Sequence, residues 1–215
     1  LPNCAAPPVA CTHLATSDEP GSDAVRRQIE RFDRCIDGID VPTSIANSGA
    51  ILAFPETHRD WNRPGYMLYG CSPFEGEPPS VRGLQPAMTL VSEIIAIRDV
   101  PRGESVGYGQ RWTASGTRRI ATVAIGYADG YPRHAPDGTP TLVRGHVAPL
   151  AGTVSMDLVS IDISDIDDAA LGDEVVLWGP ELPVDTIART AGTVGYELLT
   201  GVSMRVPRRY SGAVD

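Results

Sequence analysis

Two tyrosines set among glycines carry the first chemical signal. They lie in Gly-Glu-Ser-Val-Gly-Tyr-Gly at 103–109 and Ile-Gly-Tyr-Ala-Asp-Gly-Tyr-Pro-Arg at 125–133. Glycine has no Cβ, so the backbone there can take positive φ and let a second molecule come close. Tyr108, between Gly107 and Gly109, is then an exposed phenol on a bare stretch of chain. The same pattern also suits a glycine-rich hairpin corner with an aromatic packing peg. Tyr108 and Tyr127 are expected at the two ends of one β-hairpin. A second signal lies at 43–53, where a short strand (Thr43–Ala46) runs into Asn47-Ser48-Gly49-Ala50 and then apolar Ile51, Leu52 and Ala53. Such a strand–helix junction aims backbone N–H groups and the Ser48 hydroxyl at one point, the local chemistry of an anion site. Asn-Ser-Gly is also an ordinary helix cap. His13 closes a short apolar run, where a lone histidine is more often a satisfied core residue than a catalytic one.

Composition removes other chemistries. All 18 cationic residues are arginine, so no side chain offers the primary amine that a Schiff base needs. Cys4, Cys11, Cys35 and Cys71 form no CxxC pair and no zinc spacing, so no metal is expected, and reduced thiols point to the cytosol. The net charge of −9 opposes nucleic-acid binding, and a dense acidic group (Asp162, Asp165, Asp167, Asp168, Asp173 and Glu174) reads as a solvated face. No apolar run is long enough to span a membrane, and no secretory signal is visible at the N-terminus.

The positioning elements follow from periodicity. Val9–Leu14 reads as a buried strand. Asp18-Glu19-Pro20-Gly21 is a turn, and Ser22 caps a helix of about fourteen residues in which Val25, Ile29, Phe32 and Ile36 recur on one face, with Gly38 ending it. Residues 61–70, entered through a turn, give a third strand. The order strand, helix, strand, short helix, strand implies parallel βα units. Residues 71–83, rich in proline and glycine, read as a linker. Beyond them Met88–Arg98, Arg119–Ile125, Thr141–Val147, Met156–Ile163 and Glu174–Trp178 read as strands of a β-barrel or sandwich. One helix interrupts them, capped by Asp185, with Ile187, Ala188 and Ala191 inward and Gly192 at its end.

Taken in order, these motifs resemble the alanine racemase family. The resemblance rests on Thr12-His13-Leu14-Ala15 with Asp18-Glu19-Pro20, Asn47-Ser48, Arg63-Pro64-Gly65 and Leu68-Tyr69-Gly70. It continues through Ser105-Val106-Gly107-Tyr108-Gly109, the 125–133 motif, Met156-Asp157, Arg205-Val206-Pro207-Arg208 and Tyr210. It implies the last three βα units of a (β/α)8 TIM-type barrel at 1–83, followed by a C-terminal β-barrel or sandwich domain at 84–215. It implies a cytoplasmic homodimer with shared active sites. That enzyme interconverts L- and D-alanine on pyridoxal 5′-phosphate by two-base proton transfer and supplies D-alanine for peptidoglycan. Tyr108 would be the acid–base group on one face of the substrate Cα, influenced by Arg63 acting through His13. Arg63 would face the pyridine nitrogen. Asn47, Ser48, the backbone at Gly65 and Tyr66, and Tyr210 would surround the cofactor and its phosphate. The Met156 N–H would take the substrate carboxylate, and Tyr127 would close the entrance.

The sequence departs from the family in one respect. The cofactor lysine and the arginine that grips substrate carboxylate have no counterpart here, and about five barrel strands are missing. A C-terminal portion of a racemase is therefore expected, inactive alone. The alternative is a non-catalytic binding or interaction module built from the β-domain.

Overall fold

The computed structural model describes residues 8–212, so Cys4 lies outside the described residues. The chain divides into two compact units, Leu1–Ala87 and Met88–Asp215.

In the first unit β1 (Ala10–Cys11), β2 (Thr43–Asn47) and β3 (Trp61–Arg63) form a parallel sheet in that order. Each strand is followed by a helix: α1 (Asp23–Ile36), α2 (Ser48–Ala53) and α3 (Gly65–Leu68). The α1 pattern works as its spacing demands. Val25 and Ile29 are buried with Leu14, Ile45, Ala46, Ala50 and Phe54, and Phe32 packs against the same cluster. Gly38 follows the helix with φ of 75°, the left-handed geometry that glycine tolerates best. Ser22 stands at the N-cap without a side-chain capping bond, because its hydroxyl pairs with Thr16 Oγ1 at 3.0 Å.

Three local expectations fail in this unit. The first strand is two residues long rather than the whole of 9–14. The stretch 61–70 is strand only to Arg63; the chain then winds into α3, because Pro64 removes the N–H that a longer ladder would need. Residues 71–83 are no free linker: Cys71, Ser72 and Phe74 are buried, and Arg82 stacks 4.7 Å over the Phe74 ring.

The second unit holds β4 (Leu90–Val100), β5 (Ser105–Val106), β6 (Trp112–Thr113), β7 (Arg118–Val123), β8 (Pro140–Val143), β9 (His146–Pro149), β10 (Val159–Asp162) and β11 (Glu174–Trp178). Six of them form an antiparallel sheet in the order β10-β7-β4-β11-β8-β9. A bridge between Leu150 and Ile161 draws its two edges together and nearly closes it into a barrel. Strand β10 alternates as expected, with Val159 and Ile161 buried and Ser160 and Asp162 less so. Two helices follow, α4 (Val184–Thr190) and α5 (Gly195–Gly201), where one was expected. Asp185 sits in the first turn of α4, and Pro183, with its preset φ, holds the cap position instead.

The segment 141–147 is two strands, not one. Arg144 (φ 52°) and Gly145 (φ 79°) make the two-residue turn between β8 and β9, and positive φ at both positions matches strand twist. A left-handed arginine is costly, on the order of 1–2 kcal/mol. Its side chain offsets this by clasping Asp173 (2.7 Å) and Asp168 (3.1 Å). The acidic group is thus partly neutralised rather than a bare solvated face, and Arg118 also pairs with Asp162 at 3.8 Å.

That clasp predicts a pH dependence. The Arg144 guanidinium and the Ala170 N–H hold the Asp173 carboxyl down to about 2. Its folded value lies below the unfolded one, so its contribution is present above the unfolded value of 3.8 and is lost as pH falls through about 2. In thermal melts of the complete protein, the deficit of Arg144→Gln should be constant above pH 5 and shrink between about pH 4 and pH 2. A deficit independent of pH would contradict it.

Candidate active site

In the first unit the predicted residues gather at the C-terminal ends of the parallel strands, where α/β sheets bind ligands. His13 follows β1, Asn47 ends β2, Ser48 opens α2, Arg63 ends β3 and Gly65 opens α3. Arg63 is held by neutral oxygens. Its Nη1 donates to Ser44 Oγ at 2.6 Å, and its Nη2 to the carbonyls of Thr12 at 2.9 Å and Ile45 at 3.1 Å. No carboxylate pairs with it among the described residues, so its charge remains available, and its Nε–H is left over as a donor. His13 is exposed rather than a core histidine, with Nδ1 3.5 Å from Arg63 Nη2.

The Ser48 hydroxyl accepts from the N–H groups of Tyr66 (2.9 Å) and Met67 (3.2 Å), which leaves its own proton to donate. Gly65 N–H is a first-turn donor that helix geometry leaves without an intrahelical acceptor. A Cβ at Gly65 would meet nothing within 4 Å, so the approach to this backbone is open. Asn47 caps α2, its Oδ1 accepting from Ala50 N–H at 3.1 Å. A hydroxyl donor, a free amide and an unpaired arginine fit an anionic ring-bearing group.

In the second unit the structure separates the two tyrosines. Tyr108 sits in the tip of its own small hairpin, β5–β6, whereas Tyr127 follows β7. Tyr108 is 73% exposed and is no packing peg. Gly107 (φ 78°), Gly109 (φ 73°) and Gln110 (φ 51°) give the tip its shape. What relates the two tyrosines is the segment 152–157, which carries Met156. Thr153 Oγ1 donates to the Tyr108 carbonyl at 3.1 Å, and a Cβ on Gly152 would stand 2.6 Å from the Val106 carbonyl. Farther on, Tyr127 N–H donates to the Ser155 carbonyl (3.0 Å) and Ala128 N–H to that of Met156 (2.9 Å). A Cβ on Gly126 would lie 2.3 Å from the Met156 carbonyl, so only glycine permits this approach. Met156 N–H itself donates to nothing among the described residues, and Met156 is exposed.

Sequence reading missed the supports. Asp129 Oδ2 accepts from Gly126 N–H at 2.9 Å and its Oδ1 from Arg205 Nε at 2.7 Å. Burial pushes this carboxyl up, but Arg205 and the Gly126 N–H outweigh it, so Asp129 sits below the usual carboxylate value. Ser44, Gly152, Thr153, Asp129 and Arg205 act across long sequence separations, which local motifs do not reveal. Tyr210, predicted beside the phosphate, is 91% exposed near the end of the described chain.

Three βα units that end in a donor-rich turn, followed by a nearly closed antiparallel β-domain, define the class: the last part of a (β/α)8 barrel with its appended β-domain. Comparison with known proteins agrees. The model of the alanine racemase N-terminal domain matches residues 2–73, and that of the alanine racemase C-terminal domain matches 87–210. The chain belongs to the alanine racemase family. It is 52% identical over 202 residues to the alanine racemase of Chromohalobacter salexigens, covering 94% of this chain and 56% of that protein. The crystal structure of biosynthetic alanine racemase from Pseudomonas aeruginosa superposes with a TM-score of 0.90 at 48% identity, over 96% of this chain and 58% of that one. The alanine racemase from Bartonella henselae, with covalently bound pyridoxal phosphate, superposes with a TM-score of 0.85 at 30% identity, over 94% and 56%. The chain spans about half the length of the curated relatives it matches. No helix of the described residues is long and apolar enough to cross a membrane, and no group of three or more metal-ligating side chains occurs among them.

Proposed function

We propose that the protein carrying this chain is an alanine racemase that interconverts L- and D-alanine on pyridoxal 5′-phosphate. In this reading it is a cytoplasmic homodimer with shared sites that supplies D-alanine for peptidoglycan. The observation that carries the reading is Arg63, a rigid guanidinium with no carboxylate partner and a free donor, beside a turn of anion-binding groups. When bound, pyridoxal phosphate supplies an electron sink that makes the Cα proton of an attached amino acid acidic. Ser48, Gly65 and Tyr66 would hold its phosphate, with Asn47 fixing the turn. For the Tyr66 amide to take part, the Ser48 hydroxyl that now accepts from it must share it.

The chain's own residues then divide the work. Arg63, a guanidinium donor, would face the ring nitrogen and keep it unprotonated, which would limit the sink. That favours proton exchange over transamination. Met156 N–H binds the substrate carboxylate. Tyr108 moves a proton to or from one face of Cα, a role for which an exposed phenol on a glycine-shaped tip has the needed reach. In this reading Arg63 acts on the Tyr108 phenol through His13, whose Nδ1 lies 3.5 Å from Arg63 Nη2. Tyr127 narrows the entrance, and Arg133 lies 5.9 Å over its ring.

The absence of lysine favours one rival, a non-catalytic module built from the β-domain. The complete polypeptide decides between them: racemisation of L-alanine, followed by exchange of the Cα proton with solvent, supports the enzyme, and its absence supports the module. The isolated chain, mixed with pyridoxal phosphate and then borohydride, is predicted to gain no cofactor on any internal residue, because it has no amine side chain to reduce onto. An adduct on an internal residue would refute that argument.

A further inference from the structure

The turns at Gly126–Gly130 and Ser155–Leu158 come from different segments, yet the same arginine ties both. Arg205 Nε donates to Asp129 Oδ1 at 2.7 Å, and its Nη2 donates to Asp157 Oδ1 at 2.6 Å. We propose that Arg205 is a positioning residue that locks the Tyr127 turn and the Met156 turn into one rigid lip, so that the entrance and the carboxylate-binding Met156 N–H are set together. The inference rests on the roles given above to Tyr127 and Met156, and it adds the residue that holds them in register.

The geometry separates positioning from simple stabilisation. On their facing sides the turns are already bonded, Tyr127 N–H to the Ser155 carbonyl and Ala128 N–H to that of Met156. The outer side of the Met156 turn is held through Asp157, whose carboxylate is 59% exposed and bonds to Arg205 alone among the described residues. An ion pair that open to water adds little to overall stability. What it can do is restrict the rotation of a short exposed turn. On the other arm, Asp129 is 15% exposed and links Arg205 to Gly126 N–H at 2.9 Å, at the root of the Tyr127 turn. The Asp129 carbonyl also accepts from Ser203 N–H at 2.9 Å, which pins the segment that bears Arg205. Two carboxylates offset the charge of the guanidinium, which makes Arg205 a poor grip for a substrate carboxylate.

The test uses the complete protein loaded with pyridoxal phosphate, with Asp157→Ala and Arg205→Gln as variants. Arg144→Gln is the control, since Arg144 also clasps two aspartates but lies on the β8–β9 turn. Asp157→Ala is expected to raise KM for alanine by about tenfold with kcat nearly unchanged, at a melting temperature no lower than that of the control. In Arg205→Gln, amide exchange should quicken at 126–130 and 155–158 together. An unchanged KM in Asp157→Ala, or faster exchange in one turn alone, overturns the proposal. If the parent protein does not racemise alanine, the functional reading fails, while the paired exchange measurement still decides whether Arg205 joins the turns.

Discussion

Replacing Tyr108 by phenylalanine in the complete protein will lower racemisation by about 10²–10⁴-fold, the usual value of a positioned acid–base group, while cofactor absorbance stays intact. Racemisation removes a proton from one face of Cα and delivers one to the other, so two groups must oppose each other. In the proposed reading this chain contributes one of them, Tyr108, and the cofactor lysine, which this chain does not contain, is the other. The phenol is 73% exposed, so removing its hydroxyl costs no buried partner and leaves stability unchanged. If sites are shared between subunits, as proposed, Tyr108 serves the barrel of the second subunit. Mixing the Tyr108→Phe enzyme with a variant lacking the cofactor lysine then yields mixed dimers in which one site carries both defects and the other neither. Random reassortment should restore about a quarter of the parent activity, because half the dimers are mixed and half their sites are whole. A mixture that stays dead would place Tyr108 in its own chain's site.

Arg63→Glu is the second large effect. Racemisation should fall by on the order of 10²-fold, the scale of losing a preorganised charge contact at a reacting system, and transamination should rise relative to it. The guanidinium is fixed by Ser44 Oγ and the Thr12 and Ile45 carbonyls, all acceptors. A glutamate there accepts where arginine donated, and so favours a protonated ring nitrogen. It also loses all three anchoring bonds, so Arg63→Gln serves as the companion: it lacks the charge but keeps an amide donor, and its partitioning should fall between the two. Pyruvate formed per alanine racemised is the measurement. The same ratio in all three enzymes would reduce Arg63 to a strand-end tie.

Periodicity and punctuation make much of this protein legible in the sequence alone. The α1 face of Val25, Ile29 and Phe32, the α2 start at Ser48 and the whole of β11 depend on near neighbours, and local spacing encodes them. Tyr108 and Ser48 stand out by side-chain chemistry and neighbouring glycines, whereas Arg63 is marked only by the family resemblance. Where local signals conflicted, packing decided. Arg144-Gly145 became a turn because aspartates distant in sequence clasp the arginine, and 71–83 folded in because Phe74 found a buried place. Tyr108 and Tyr127 are not ends of one hairpin but are both tied to the segment 152–157, a relation set by strand pairing rather than by nearness in sequence. The supports of the site were the least legible part. Arg205 reaches back to Asp129 and Asp157, and Arg63 is gripped by Thr12, Ser44 and Ile45. A motif states which group can do chemistry; the oxygens and amides that hold it still are brought there only when distant strands meet.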